Sequence, residues 1–273
     1  MSAIRVAAVR LGPEIGAVAT NRQACVAAIA RAAAEGARLV VLPELVTSGY
    51  CLRDAAEARA SAETVPGPTT RAWQEAADRH GVVVVGGVCE IDDGDRLRNT
   101  AVVVDAGGVR GVYRKLHLWG REPTLFVAGD ERPPVVETSL GRIGLAICYD
   151  LWFPELPRDL AMRGAELLAV PSNLSASPAQ AGLPHLDVVV ALATAHVNRV
   201  HVVVADRCRT ERGSEWLGAA LVVDADGTLL AGPPPGTDEA MAIAEVDLER
   251  ARSKGWDGLN DLLGDRRGDI YGS

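Results

Sequence analysis

The sequence predicts an α/β fold built on mixed sheets, and three features of its patterning predict it. Short apolar runs that suit buried strands, although periodicity alone does not tell so short a run from a helix, recur along the 273 residues and alternate with helix-length amphipathic stretches. The first two runs flank a single helix, which makes a βαβ unit and parallel strands. Later runs are joined by tight glycine turns, which make antiparallel hairpins. The strand count comes to about a dozen, and no repeat, low-complexity segment or linker divides the chain, so residues 1–273 read as one domain.

Ile4 to Leu11 is the first predicted strand. Thr20-Asn21-Arg22-Gln23 has the capping-box pattern, and the helix after it sets Cys25, Ala28, Ile29 and Ala32 on one face before Gly36 stops it. Ala37 to Leu42 is the second strand and runs into Pro43-Glu44. Asp54 to Glu63 is a polar helical stretch. Thr70 to His80 is a helix whose apolar face includes Trp73, a core residue. Val82 to Val88 is a continuous apolar strand whose Gly86-Gly87 pair permits close backbone approach. Glu90 to Arg98 reads as a polar hairpin loop. Asn99 to Asp105 and Val109 to Tyr113 form a hairpin that ends at Arg114-Lys115.

Leu116 to Gly129 has no clean period and reads as a loop carrying His117, Trp119 and Glu122. Val135 to Thr138 and Arg142 to Ile147 pair around Leu140-Gly141, and Cys148 follows. A helix opens at Phe153-Pro154-Glu155, with Pro and Glu where a first turn favours them. Glu166 to Val170 is a strand ending in Pro171-Ser172-Asn173. A helix from Leu186 to Val197 and a strand from Val200 to Ala205 come next. Ala219 to Asp224 and Thr228 to Ala231 make a hairpin at Asp226-Gly227, and Met241 to Val246 is the last strand. The tail is helical near Leu248–Ser253 and irregular beyond.

Composition narrows the function. The formal charge is −8 with no basic cluster, which argues against nucleic acid and acidic membranes as partners. No apolar run reaches the roughly 18 residues of a membrane span. The N-terminus lacks the apolar core of a secretory leader. The five cysteines are dispersed without CxxC spacing, which points to reduced thiols, a cytoplasmic location and no structural zinc. Of the 28 basic residues only Lys115 and Lys254 are lysines. A chain that uses Arg for its ordinary charges makes each Lys a deliberate choice, because a compact ammonium does what a guanidinium cannot.

Three polar residues stand at predicted strand ends: Glu44, Lys115 and Cys148. In α/β proteins ligands bind at such ends. Each has a plain alternative. A Cys after an apolar run is commonly a small buried hydrophobe, and a strand-end Glu often faces solvent. Together the three make chemical sense. A carboxylate can take a thiol proton, an ammonium nearby favours the thiolate, and that ammonium with a backbone N–H can hold a tetrahedral oxyanion.

These residues carry a resemblance to the carbon–nitrogen hydrolases of the nitrilase superfamily. The matching stretches are Leu42-Pro43-Glu44, Tyr113-Arg114-Lys115-Leu116-His117-Leu118, and Gly144-Leu145-Ala146-Ile147-Cys148-Tyr149-Asp150 with Phe153-Pro154-Glu155. Asn99-Thr100-Ala101 and Asn198-Arg199-Val200 support them, and the likeness spans about residues 4 to 247. It implies a four-layer α-β-β-α sandwich and a cofactor-free Glu-Lys-Cys triad. Glu44 would be the general base, Lys115 the oxyanion stabiliser and Cys148 the nucleophile. The Tyr149 N–H would be the second oxyanion donor. Glu122 falls where many members keep a second Glu that orients substrate; its alternative is an exposed loop Glu beside Arg121. Tyr50, Trp119, Trp152 and Asn173 are the pocket candidates, although each aromatic also has a core reading and Asn173 could cap the next element. The resemblance also implies a homodimer or larger homo-oligomer, with residues 254–273 as a C-terminal tail for contacts with a partner.

Nitrilases of this superfamily usually follow the Cys with Trp-Glu; here Tyr149-Asp150 follows, as in amidases and carbamoylases. The expected activity is hydrolysis of a small primary amide to carboxylate and ammonia through a thioester. The alternatives are an N-carbamoyl amine or amino-acid hydrolase, a nitrilase, or a regulatory homologue without turnover.

Overall fold

The computed structural model describes residues 3–176, 184–234, 236–256 and 258–271. Strand β1 (Ala3–Leu11) leads through helix α1 (Val18–Ala34) to β2 (Leu39–Val41). Helices α2 (Ala55–Ala60) and α3 (Pro68–His80) precede β3 (Val83–Ile91), β4 (Leu97–Asp105) and β5 (Gly108–Arg114). Strands β6 (Val135–Glu137) and β7 (Arg142–Leu145), helix α4 (Glu155–Met162) and strand β8 (Leu167–Pro171) follow. Helix α5 (Leu186–Asn198) and strands β9 (His201–Arg207), β10 (Leu221–Val223), β11 (Leu229–Ala231) and β12 (Ala240–Asp247) complete the sandwich. Two short helices end the chain, α6 (Leu248–Arg252) and α7 (Gly268–Tyr271).

The strands make two mixed sheets. One runs β5-β4-β3-β2-β1-β12 and the other β6-β7-β8-β9-β10-β11. They join where the end of β1 pairs in parallel with the end of β9, Arg10 opposite Asp206 and Leu11 opposite Arg207. Alternation along the strands explains the layers. In the first sheet Val6, Ala8, Leu39, Val41, Val83 and Val85 point into the central core with the second sheet. Their neighbours Ala7, Val9, Val40 and Val84 point the other way, onto Cys25, Ala28 and Ile29 of α1 and Trp73 of α3. Helices α4 and α5 lie against the second sheet, and β2 and β3 pack across on β8 and β9. The result is an α-β-β-α sandwich. Each buried Val or Leu contributes about 1.5–3 kcal/mol.

Four local expectations change. Helix α1 begins at Val18, so Thr20 lies inside it and no side chain caps it. Asn21 instead accepts from the Glu14 N–H and donates to the Glu14 and Thr47 carbonyls, tying two loops to the helix. The polar stretch from Glu90 to Arg98 is strand at both ends, and the loop shrinks to the five residues between Ile91 and Leu97. Three of its charges are buried because they are paired: Glu90 holds Arg114 and Thr100, and Asp92 holds Arg98. The loop after β5 contains a single 3₁₀ turn, Glu122–Thr124. The tail is not irregular throughout, since α7 forms near its end.

Candidate active site

Strand direction gathers the site. β1, β2 and β3 are parallel, as are β7, β8 and β9, and β5 regains the direction of β3 after two antiparallel pairings. The C-terminal ends of β2, β5, β7 and β8 therefore open on one edge of the sandwich. Glu44 follows β2, Lys115 follows β5, Cys148 follows β7 and Asn173 follows β8. Gly87 makes room for the first of them. A Cβ there would sit 2.6 Å from the Glu44 Cα and the Leu45 N, so the bare strand lets the Pro43–Leu45 backbone cross it.

The charged groups form one buried cluster. Lys115 Nζ donates to Glu44 Oε1 at 2.7 Å and to Glu122 Oε1 at 2.8 Å. Glu44 Oε1 also accepts from Asn99 Nδ2 at 2.7 Å, and Glu44 Oε2 accepts from Asn173 Nδ2 at 3.0 Å. Tyr50 donates its hydroxyl to Glu122 Oε1 at 2.6 Å. Glu122 is buried, so the reading of an exposed loop Glu fails. Its Oε2 is buried and has no hydrogen-bond partner among the described residues.

Cys148 opens a 3₁₀ turn, Cys148–Trp152, with φ +47, a conformation that costs L residues energy and holds the side chain out of the strand's path. Asp150 fixes the turn. It accepts from the Ile147 N–H at 2.8 Å, the Tyr113 hydroxyl at 2.8 Å and the His117 N–H at 3.2 Å, and its Oδ1 lies 2.8 Å from His117 Nδ1. His117 thus has a partner that its place in the sequence does not reveal, and its ring stacks on Phe153 at 3.7 Å. The Cys148 thiol points to the Asn173 carbonyl, 3.8 Å away.

A cavity of about 180 Å³ opens over the thiol, lined by Trp119, Tyr149, Trp152, Leu174 and Asp187 among others. A second lobe of about 370 Å³ shares Trp119 and Asn173 with it and takes in Tyr50, Glu122 and Arg121. Trp119, Tyr149 and Trp152 contact one another and form an aromatic wall. The four pocket candidates therefore all line the cavity, although Asn173 also grips Glu44 and is no helix cap.

Electrostatics sets the resting protonation. Burial, then the Glu44 charge, pushes the Cys148 thiol well above its ordinary pKa, and Lys115 only partly offsets this. The expected thiolate-favouring ammonium is outweighed first by burial and then by the Glu44 charge. Burial also raises Glu44, against the pull of Lys115. For Lys115 burial opposes the charge, but Glu44 and Glu122 overcome it and keep the ammonium. Among the described residues no group of three or more His, Cys, Asp or Glu is arranged to hold a metal ion. None of their helices is long and apolar enough to cross a membrane.

Sequence reasoning gave no role to Asn99, Asp150 or Glu211, which supports Tyr50. Asn99 and Asp150 lie inside stretches that carry the resemblance, so a signal was present; Glu211 sits in a polar loop with none.

Fold and site together define a hydrolase of carbon–nitrogen bonds. The Carbon-nitrogen hydrolase family profile matches residues 5–254, and the chain belongs to that family. It is 37% identical to a nitrilase of Pyrococcus abyssi over 98% of this chain and 99% of that one. An N-carbamoylputrescine amidase of Solanum lycopersicum is 31% identical over 93% of this chain and 89% of its own length. Among solved structures, an amidase of the nitrilase superfamily from Nesterenkonia AN1 superposes with a TM-score of 0.79 at 26% identity, covering 98% of this chain and 95% of that one. The protein is a hydrolase acting on non-peptide carbon–nitrogen bonds.

Proposed function

We propose that the protein is a cysteine-dependent amidase that hydrolyses a small primary amide to a carboxylate and ammonia. One observation carries the reading. Beside the Lys115 ammonium, a donor, Glu122 Oε2 is a buried acceptor with no partner among the described residues. A primary amide supplies both complements, a carbonyl oxygen for the donor and N–H groups for the acceptor. A nitrile has no N–H to give, and Tyr149-Asp150 after the Cys also speaks against nitrilase activity.

Glu44 takes the thiol proton as Cys148 Sγ attacks the amide carbon. Lys115 has three N–H donors, two used by Glu44 and Glu122, and the third meets the oxyanion. The Tyr149 N–H lies in the first turn of a 3₁₀ segment, where no intrahelical acceptor exists, and is the second donor. Each such donor lowers the barrier by about 3–4 kcal/mol. Protonated Glu44 passes its proton to the leaving nitrogen, ammonia departs and a thioester remains. Glu44 then draws a proton from water, which attacks the thioester and releases the carboxylate. The aromatic wall receives the acyl group.

An N-carbamoyl amine ends in the same H₂N–C=O unit, so the same contacts serve it, and the similar Solanum protein favours keeping that second reading. Ammonia release from matched amides, nitriles and carbamoyl amines, beside Cys148→Ala, decides between them. Release from amides, lost in the variant, supports the amidase; release from carbamoyl amines alone replaces it. No release, with Cys148 no more reactive to iodoacetamide than the other cysteines, would point to a regulatory homologue. We further propose a homo-oligomer formed through α4 and α5. Trp152, Met162, Leu186, Val189 and Val197 are all exposed on or beside that layer, and sedimentation equilibrium tests it. The five free thiols fit a reducing cytoplasm.

A further inference from the structure

Tyr50 is held at three places. Its N–H lies 3.2 and 3.1 Å from the two carboxylate oxygens of Glu211, and the next N–H, of Cys51, is 2.6 Å from Glu211 Oε2. Its ring stands edge-on to Trp216 at 5.3 Å and 84°. Its hydroxyl reaches Glu122 Oε1. Glu211 is itself fixed. Arg207, at the end of β9, grips it with both guanidinium arms at 2.6 and 3.1 Å, donates to the Pro13 carbonyl and lies 5.1 Å over the Trp216 ring. Arg207 and Glu211 are both buried. Gly49, at φ +82, admits the carboxylate, since a Cβ there would lie 2.8 Å from Glu211 Oε1.

We infer that Glu211, locked by Arg207, which lies over Trp216, is a positioning residue that sets Tyr50 so that its hydroxyl occupies one oxygen of Glu122 and leaves the other open to substrate. The inference rests on the amidase reading for what Glu122 receives. Its physical content is a relay from the second sheet to the first. Glu211 fixes the Tyr50 backbone, the Tyr50 hydroxyl and Lys115 share Glu122 Oε1, and only Oε2 remains for an incoming N–H. Without the Tyr50 bond Glu122 can rotate about its last torsion and offer Lys115 either oxygen. Tyr50 stays a donor throughout, because burial, then Glu44, holds its hydroxyl far above ordinary titration.

A double-mutant cycle tests the relay, with Glu211→Gln, Tyr50→Phe and the pair. The readouts are kcat/KM on the best amide and, independent of turnover, the rate of Cys148 alkylation by iodoacetamide, itself a primary amide. Glu211→Gln should lower kcat/KM by about 10- to 100-fold when Tyr50 is present and by less than about 2-fold on Tyr50→Phe. The alkylation rates should be non-additive in the same sense. Equal losses in both backgrounds, or no loss, would overturn the relay. An enzyme that hydrolyses no amide yet keeps the non-additive alkylation would sink the amidase reading and leave the relay standing. Trp216→Phe, which keeps most of the packing volume, repeats the cycle should Glu211→Gln not fold.

Discussion

Lys115 Nζ lies 2.7 Å from Glu44 Oε1, and neither side chain is open to solvent. Glu122 meets the same ammonium from another side at 2.8 Å. One ammonium thus lies between two buried carboxyl groups, and burial raises Glu44 against the pull of that ammonium. A buried pair of this kind is poor evidence for stability, because apolar residues of like volume often do as well. Its consequence is chemical. With burial, the larger cause, the Glu44 charge keeps the neighbouring Cys148 as a thiol and stands ready to accept its proton.

That balance makes Glu44→Gln informative. Turnover should fall about 10²- to 10⁴-fold with the base gone. The thiol should nevertheless ionise more readily. Glu44 is the largest charge effect raising it, so removing that charge moves its pKa down. The pH profile of iodoacetamide alkylation, read by mass spectrometry at Cys148, should shift to lower pH as hydrolysis is lost. A profile that stayed or moved up would refute this electrostatic account.

Lys115→Arg keeps the charge and should still cost at least about 100-fold in kcat, the worth of one oxyanion donor. The Nζ site is fully enclosed between two carboxylate oxygens, and a planar fork neither fits there nor leaves a donor aimed at the thiol. Single-turnover acylation measures it. Near-parent rates would remove Lys115 from the oxyanion site.

The sequence revealed the strand ends because each combines a short apolar run with a polar residue just past it. Glu44, Lys115 and Cys148 were legible for that reason, and their convergence followed from parallel strands. Tertiary partners were not legible. Asn21 sits in a capping pattern, yet its amide is drawn to Glu14 and Thr47, contacts that no local rule contains. Glu90 and Arg98 look like loop residues until Arg114 and Asp92 pair with them and let them be buried in strands. Glu211 lies 161 residues from Tyr50, and only the joining of β1 to β9 brings their ends together.

Gly87→Ala should test the close strand crossing that seats Glu44. The added Cβ would meet backbone atoms of Glu44 and Leu45, which cannot turn aside as a side chain can. The hydrogen bonds from Gly87 N–H to the Pro43 carbonyl and from Val46 N–H to the Gly87 carbonyl resist a shift. We expect a loss of about 2–3 kcal/mol, typical of overpacking, and a Tm lower by about 5–10 °C in a chain of this size. Activity should fall further than stability explains, about 100-fold at a temperature where the variant is folded. Calorimetry and kcat on the same sample check both halves.

The two lysines should respond to pH in opposite ways. Lys254 Nζ donates to the Asn198 and Arg199 carbonyls at the end of α5, and burial, then the Arg199 charge, lowers its pKa to about 8. Lys115 is held as an ammonium by its two carboxylates. At pH 8.5 an amine-directed acylating reagent should therefore modify Lys254 and spare Lys115, as peptide mapping would show. Stability follows with a definite sign. Between about pH 8 and the unfolded value of about 10.4, the unfolded chain carries a proton at Lys254 that the folded chain lacks. Stability from this group therefore rises with pH across that window and is lost as pH falls through about 8. The urea midpoint of the parent protein relative to Lys254→Gln should be higher at pH 10 than at pH 7.5. An unchanged difference, or a smaller one at high pH, would show that Lys254 remains an ordinary surface ammonium.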